Sequence, residues 1–163
     1  METLEGTETI LAVDDQMAVL SLIQAMLGQY NYTAILANSA GEALQLFKTN
    51  PEVKVDLALI DIVMPGMDGL ELAEHLREIR PKLPMIYMSS YPEWTDSPLV
   101  KGTTIPCIAK PFTPVMLIPM IRKMLDQATA RAESSVVGFA IENGDRTQEE
   151  SPLNVRRNYS TCR

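Results

Sequence analysis

The sequence predicts an α/β protein built on an open, doubly wound sheet of five parallel strands with helices on both faces. Three observations lead there. Five short apolar runs alternate in order with stretches of helical periodicity. The runs are nearly continuous rather than alternating, as strands covered on both faces require. Four of them end in chemically capable residues: Asp14-Asp15, Asp61, Ser89-Ser90 and Lys110-Pro111. Ligands of such sheets bind outside the carboxyl ends of the strands. That edge would gather three carboxylates, a hydroxyl and an amine.

The first strand is expected over residues 10–13. Residues 17–27 follow as a helix with Leu20, Ile23 and Leu27 on one face, stopping near Gly28. A second strand covers 32–37. Ser39 and Glu42 have capping-box spacing, the serine bonding forward and the glutamate back. Behind them Ala40, Ala43, Leu44 and Phe47 form an i, i+3, i+4, i+7 stripe, and Asn50-Pro51 ends that helix. The third strand covers 55–60, broken only by Asp56. Helix 69–80 starts near Asp68 and turns Leu72, Ala73, Leu76 and Ile79 inward. Strands four and five are expected over 84–89 and 105–109. Between them Pro92, Pro98, Gly102 and Pro106 crowd the place of a fourth helix. Proline inside a helix costs about 3 kcal/mol, so that helix should be short or irregular. Thr113-Pro114 reads as a cap followed by proline in the first turn. It opens a last helix to about residue 131, in which Pro119 predicts a kink or a delayed start. Met116, Met120 and Met124 make a stripe on it, read as gap-filling core, with an adaptable partner surface as the alternative.

At 163 residues and a mean hydropathy of +0.00, one ordinary globular domain is the expectation, over residues 1–131. Residues 132–163 form a polar tail read as largely disordered, its apolar island at 136–141 offering an edge strand or docking segment instead. The net charge of −7 argues against a broad nucleic-acid footprint. Two cysteines, Cys107 and Cys162, are too few for a disulfide framework or a zinc site. The acidic N-terminus lacks a signal-peptide layout, and no apolar run approaches the ~18 residues of a membrane span; the cytoplasm is the expected compartment. His75, the sole histidine, reads as a surface residue. Trp94 lies in the proline-broken segment, and packing and partner contact are both open to it.

Carboxylates crowded at one edge raise each other's pKa unless a cation intervenes. A hard divalent cation together with the lysine is the economical solution. Asp14 and Asp15 can both aim at a metal only if the strand breaks there, because successive side chains alternate faces. Asp61 directly follows residues 57–60, where a carboxylate is costly unless liganded or solvated. A cap or turn role is its bland reading, but the next helix has its own start near Asp68. Lys110 has the alternative of an exposed, snorkelling lysine. The set suits phosphoryl handling: a carboxylate can attack phosphorus, and the rest is positioning and charge stabilisation.

Val13-Asp14-Asp15, the string Asp61-Ile62-Val63-Met64-Pro65-Gly66-Met67-Asp68-Gly69, Ser89, and Lys110-Pro111-Phe112 share their order, spacing and strand contexts with a known family. Over about residues 8–130 the chain resembles the receiver domain of two-component response regulators, the group that includes the bacterial chemotaxis regulator. The resemblance implies a flavodoxin-like sheet of strand order 2-1-3-4-5. It implies Asp61 as acceptor of a phosphoryl group from a histidine kinase or phosphotransfer protein. Mg²⁺ would be bound directly by Asp15, largely through water by Asp14, and by Asp61 and the backbone carbonyl of Val63. Ser89 would hydrogen-bond a phosphoryl oxygen as a switch, small Ser90 would leave access open, Lys110 would pair with the phosphoryl group, and Pro111 would support the turn, as a cis peptide. A second copy or an effector would bind the 92–125 face, with no direct nucleic-acid or membrane contact. Such a protein is a signalling phosphoacceptor rather than an enzyme. One position departs: three residues before Lys110, where the family carries Tyr or Phe, stands Cys107, and Tyr91 is the candidate substitute.

Other classes fit less well. An aspartate-based phosphatase generally has a second aspartate two residues after its nucleophile, but Asp61 is followed by Ile62-Val63 and Asp15 by Gln16-Met17. A phosphorylation-independent interaction module has no need of both metal aspartates, the acceptor and the lysine. A flavin protein would want a Ser, Thr and Gly-rich loop after the first strand, where this chain has Asp14-Asp15-Gln16-Met17.

Overall fold

The structure, a computed structural model, describes residues 3–144, with side chains through 137. The chain runs β1 (Thr9–Val13), α1 (Met17–Gln29), β2 (Thr33–Ala37), α2 (Ala40–Thr49), β3 (Leu57–Asp61), α3 (Gly69–Ile79), β4 (Met85–Ser89), α4 (Pro92–Asp96), α5 (Pro98–Lys101), β5 (Cys107–Ala109) and α6 (Pro114–Gly144). The strands form one parallel sheet in the order β2-β1-β3-β4-β5, as expected.

Side-chain alternation along the strands splits the apolar residues into two layers. Ile10, Ala12, Leu57, Leu59, Ile86, Met88 and Ile108 face α1 and α6, packing with Leu20, Ile23, Leu27, Leu117, Ile121 and Leu125. Leu11, Val13, Ala58, Ile60, Met85 and Tyr87 face the other way, onto Ala40, Ala43 and Phe47 of α2, Leu72, Ala73 and Leu76 of α3, and Val100 of α5. Both faces being covered explains why the strands read as unbroken apolar runs.

The helix starts follow the expected chemistry. The Ser39 hydroxyl accepts from the Glu42 N–H at 3.1 Å, and the Glu42 carboxylate reaches back to the Asn38 N–H, one residue earlier than a standard box. The Asp68 carboxylate accepts from the Glu71 N–H at 2.9 Å and starts α3. The next residue must be glycine: a Cβ on Gly69 would collide with the Asp61 carbonyl oxygen. This close approach presses the start of α3 against the end of β3.

The fourth helix is short and irregular as expected: it is two pieces, α4 and α5, each opened by a proline. Other expectations needed correction. Ile79 is 45% exposed rather than inward, because it is the last residue of α3 and lies past the reach of the sheet. α6 begins at Pro114 with no delay from Pro119. The amide that Pro119 lacks would have bonded the carbonyl of Val115, in a turn whose Val115 side chain is 79% exposed. α6 also continues beyond residue 131 to Gly144, helical through much of the island at 136–141. Ala128, Ala130, Ala132 and Glu133 favour helix, and no proline interrupts. The compact unit containing the sheet ends at Ala128. Residues 145–163, Cys162 among them, lie outside the described residues.

A polar clasp ties the N-terminal segment to α6. Arg122 donates to Glu8 at 2.9 Å, to the Tyr32 hydroxyl at 3.4 Å and to Asp126 at 2.9 Å. Tyr32 in turn donates to the Leu4 carbonyl at 3.0 Å.

Candidate functional site

Strand register builds the site. Val13 pairs with Ile60, so the residues that follow, Asp14 and Asp61, end adjacent strands side by side. Asp61 pairs with Met88, which puts Ser89 one step beyond. Ser89 pairs with Ala109, so Lys110 is next to arrive at the same edge. The Lys110 N–H donates to the Ser89 carbonyl at 2.7 Å, and the Lys110–Pro111 peptide is cis, as the resemblance implied.

Carboxylate oxygens of Asp14, Asp15 and Asp61 lie within 4.8 Å of one another. Asp14 has no exposed surface, Asp61 is 5% exposed, and Asp15 is open to solvent. Past the end of β1, the Gln16 N–H bonds Asp14 Oδ1 at 2.9 Å. This Asx turn breaks the strand and lets both aspartates reach one pocket. The Lys110 ammonium enters from the opposite side, 2.5 Å from Asp14 and 3.1 Å from Asp61. It is no snorkelling surface lysine, since its side chain is only 11% exposed.

Burial pushes the Asp61 carboxyl above the ordinary carboxylate range; Lys110 opposes the shift, and the negative charges of Asp14 and Asp15 add to it. The donor set is all carboxylate oxygen, with neither imidazole nor thiolate among the clustered groups. Such a set fits a hard divalent cation such as Mg²⁺ and not a softer metal.

The remaining expected residues lie around this pocket. Val63 stands two residues after Asp61 in the exposed loop before α3. Ser89 is buried, and its neighbour Ser90 is exposed. The Ser89 hydroxyl bonds the Tyr91 backbone: it accepts from the Tyr91 N–H at 3.1 Å and donates to the Tyr91 carbonyl at 3.3 Å. Cys107 is half-buried on β5, where burial pushes its thiol up. His75 is half-exposed beside Glu78, away from the cluster. Gly69 and Tyr91 were both named from the sequence, but not in the roles they have: Gly69 allows the close approach of α3 to β3, and Tyr91 contributes its backbone N–H and carbonyl.

The sequence matches the response regulator receiver domain family over residues 10–122. This chain belongs to that family. The receiver is 30% identical to the response regulator GtcR of Aneurinibacillus migulanus, over 92% of this chain and 68% of that one. It spans about half the length of several other curated regulators that it matches, and a smaller share of others. Among solved structures, it is similar to a CheY-like receiver domain protein from Methanospirillum hungatei, with a TM-score of 0.69 and 30% identity over 77% of this chain and 99% of that one. It is also similar to TrrA from Thermotoga maritima, solved with Mg(2+)-BeF, with a TM-score of 0.64 and 26% identity over 72% and 98% of the two chains.

Proposed function

We propose that Asp61 accepts a phosphoryl group from a histidine kinase or phosphotransfer protein and that the receiver thereby switches a partner-binding face. The observation that carries this reading is the convergence of Asp14, Asp15 and Asp61 on one point, with Lys110 bonded between two of them. An Asp61 carboxylate oxygen would attack phosphorus. A P–O bond forms, the donor's P–N bond breaks, and the imidazole leaves with the electron pair. Asp14, Asp15, Asp61 and the Val63 carbonyl would hold Mg²⁺, which supplies charge neutralisation on the phosphoryl oxygens. The Mg(2+)-BeF held by the related TrrA supports this assignment. Lys110 would release Asp61 and pair with the phosphoryl oxygens. Exposed Ser90, with its small side chain, leaves room for the donor. Pro111 sets the turn that carries Lys110 inward.

The Ser89 hydroxyl would swing from the Tyr91 peptide to a phosphoryl oxygen, a local charge event that biases nearby structure. The responding face is that of residues 92–125, toward a second copy or an effector. A groove of about 660 Å³ lies there, lined by Val100, Cys107, Met116, Met120 and Met124 among others. Met116 is half-exposed while Met120 and Met124 pack against the core, so the stripe is part core filling and part surface. Cytoplasmic placement and the absence of direct nucleic-acid contact belong to the same proposal; the net charge of −7 supports the latter. Among the described residues no helix is long and apolar enough to cross a membrane.

The test is intact mass after incubation with Mg²⁺ and a small acyl phosphate. A labile phosphate adduct, lost in Asp61→Asn, is expected. Steady turnover of phosphate esters would favour a phosphatase, and no adduct from small donors or a cognate kinase would favour a phosphorylation-independent module.

A further inference from the structure

The groove between α5, β5 and α6 has the size and chemistry of a small-molecule site. Its volume of about 660 Å³ falls within the range of about 300–1,000 Å³ usual for such sites. The floor is apolar. Val100 of α5 and Ile105 before β5 are buried, Met120 and Met124 of α6 are half-buried, and Cys107 completes it. Thioether side chains adapt to the shape of an apolar guest. Burial is what pushes the Cys107 thiol up, with no ammonium close enough to oppose it.

The polar groups of the rim are few, and most are already engaged. The Thr95 hydroxyl donates to the Pro92 carbonyl at 2.7 Å, and that of Thr103 donates to the Val100 carbonyl at 2.8 Å. The Lys101 ammonium pairs with Asp96 at 2.8 Å. Lys123 is exposed, with no ion-pair partner among the described residues. No acidic side chain among the described residues lines the groove, on a chain whose net charge is −7. The one unpaired charge at the rim is therefore positive. Pro106 and Pro119, also in the wall, have no N–H to offer the backbone of a peptide.

We propose that this groove binds a small anionic amphiphile, with one apolar tail on the methionine floor and one carboxylate headgroup beside Lys123. Most of the affinity comes from apolar area leaving water. The ion pair at the exposed rim adds modestly and selects the sign of the headgroup. The site is open in the unmodified chain and does not depend on Asp61.

Decanoate is the probe, kept below its micelle concentration and free of Mg²⁺ and phosphodonor. It is titrated into the full chain by calorimetry, and isotope-labelled methionine methyls are followed by NMR. One decanoate per chain is expected, shifting the methyl signals of Met116, Met120 and Met124 and leaving that of Met17, exposed on α1, in place. Decyl maltoside, with the same tail and no charge, is expected to bind about two- to fivefold more weakly, and Lys123→Gln to lose the same factor for decanoate. Met116→Glu, at a half-exposed position, is expected to weaken decanoate about tenfold through lost apolar contact. Shifts at Met17 instead, several decanoates per chain, or equal affinity for decyl maltoside would overturn the proposal. Absence of binding overturns it as well: a concentration-dependent dimer in sedimentation would then give the groove to a second copy, and a monomer would give it to a partner protein. Co-sedimentation of the chain with phosphatidylglycerol vesicles would overturn it in favour of a membrane surface.

Discussion

Removing the Lys110 ammonium would leave Asp14, which has no exposed surface, facing Asp61 with no cation between them. Breaking a buried ion pair from one side costs about 3–5 kcal/mol. Lys110→Ala is therefore expected to lose about 3 kcal/mol in urea melts run without divalent cations, and adding Asp61→Asn should restore part of it. A loss within ~0.5 kcal/mol would mean that water already screens the pair. Glu8 offers a second test, on a side chain remote from the pocket. Partial burial pushes its carboxyl up, but the Arg122 hydrogen bond, backbone hydrogen bonds and the Arg122 charge together outweigh this and hold it below the ordinary value. Between the folded and unfolded values the unfolded chain binds more protons, so stability rises with pH there. The contribution is complete above the ordinary glutamate value of about 4.3 and is lost as pH falls through the folded one. Because the clasp is partly solvated, its size should stay under about 1 kcal/mol. Comparing the parent chain with Glu8→Gln in melts from neutral pH downward should show that slope only in the parent.

At the scale of elements, the tightest constraint is the packing of α3 on the end of β3. A methyl group at Gly69 has nowhere to go but into the Asp61 carbonyl. Gly69→Ala is expected to cost about 1–3 kcal/mol, as overpacking does, and to slow adduct formation at Asp61 by moving the strand end. Loss of stability with phosphorylation untouched would show that the two are independent. How far the sequence revealed these elements depends on the range of the forces involved. Asp68 and Ser39 were legible as caps because capping is local, a side chain meeting an amide two or three residues away. Asp14, Asp61 and Lys110 were legible because strand ends of a parallel sheet share an edge whatever the details. Ile79 was misplaced because periodicity does not show where a helix runs off its sheet. The bonds of Ser89 to Tyr91 left no trace in the sequence, since serine at a strand end is equally suited to several partners.

On the scale of the molecule, the sheet with its two apolar layers lies within the unit that ends at Ala128. We expect a chain cut after Arg131 to keep its unfolding free energy within ~0.5 kcal/mol and to form the Asp61 adduct at the parent rate. A large drop in urea stability would show that the later residues support the core. The helical reading beyond residue 131 was missed because the polar composition of the whole tail outweighed the local run of alanines in α6. The groove on the 92–125 face was only half legible. The methionines were visible, but their exposure depends on how α6 rolls against the sheet.

One consequence of the pocket follows from counting its formal charges. Three carboxylates and one ammonium sum to −2 (−3 + 1), so a bound dication makes the pocket formally neutral. Esterifying Asp61 with phosphate removes one negative charge and adds about two, a net gain of only about one. So small an increment, surrounded by counter-charges, casts little field beyond its own walls. If Asp61 is the acceptor, what leaves this edge of the sheet would be carried by a change in who donates to whom, atom by atom, more than by a voltage felt at a distance.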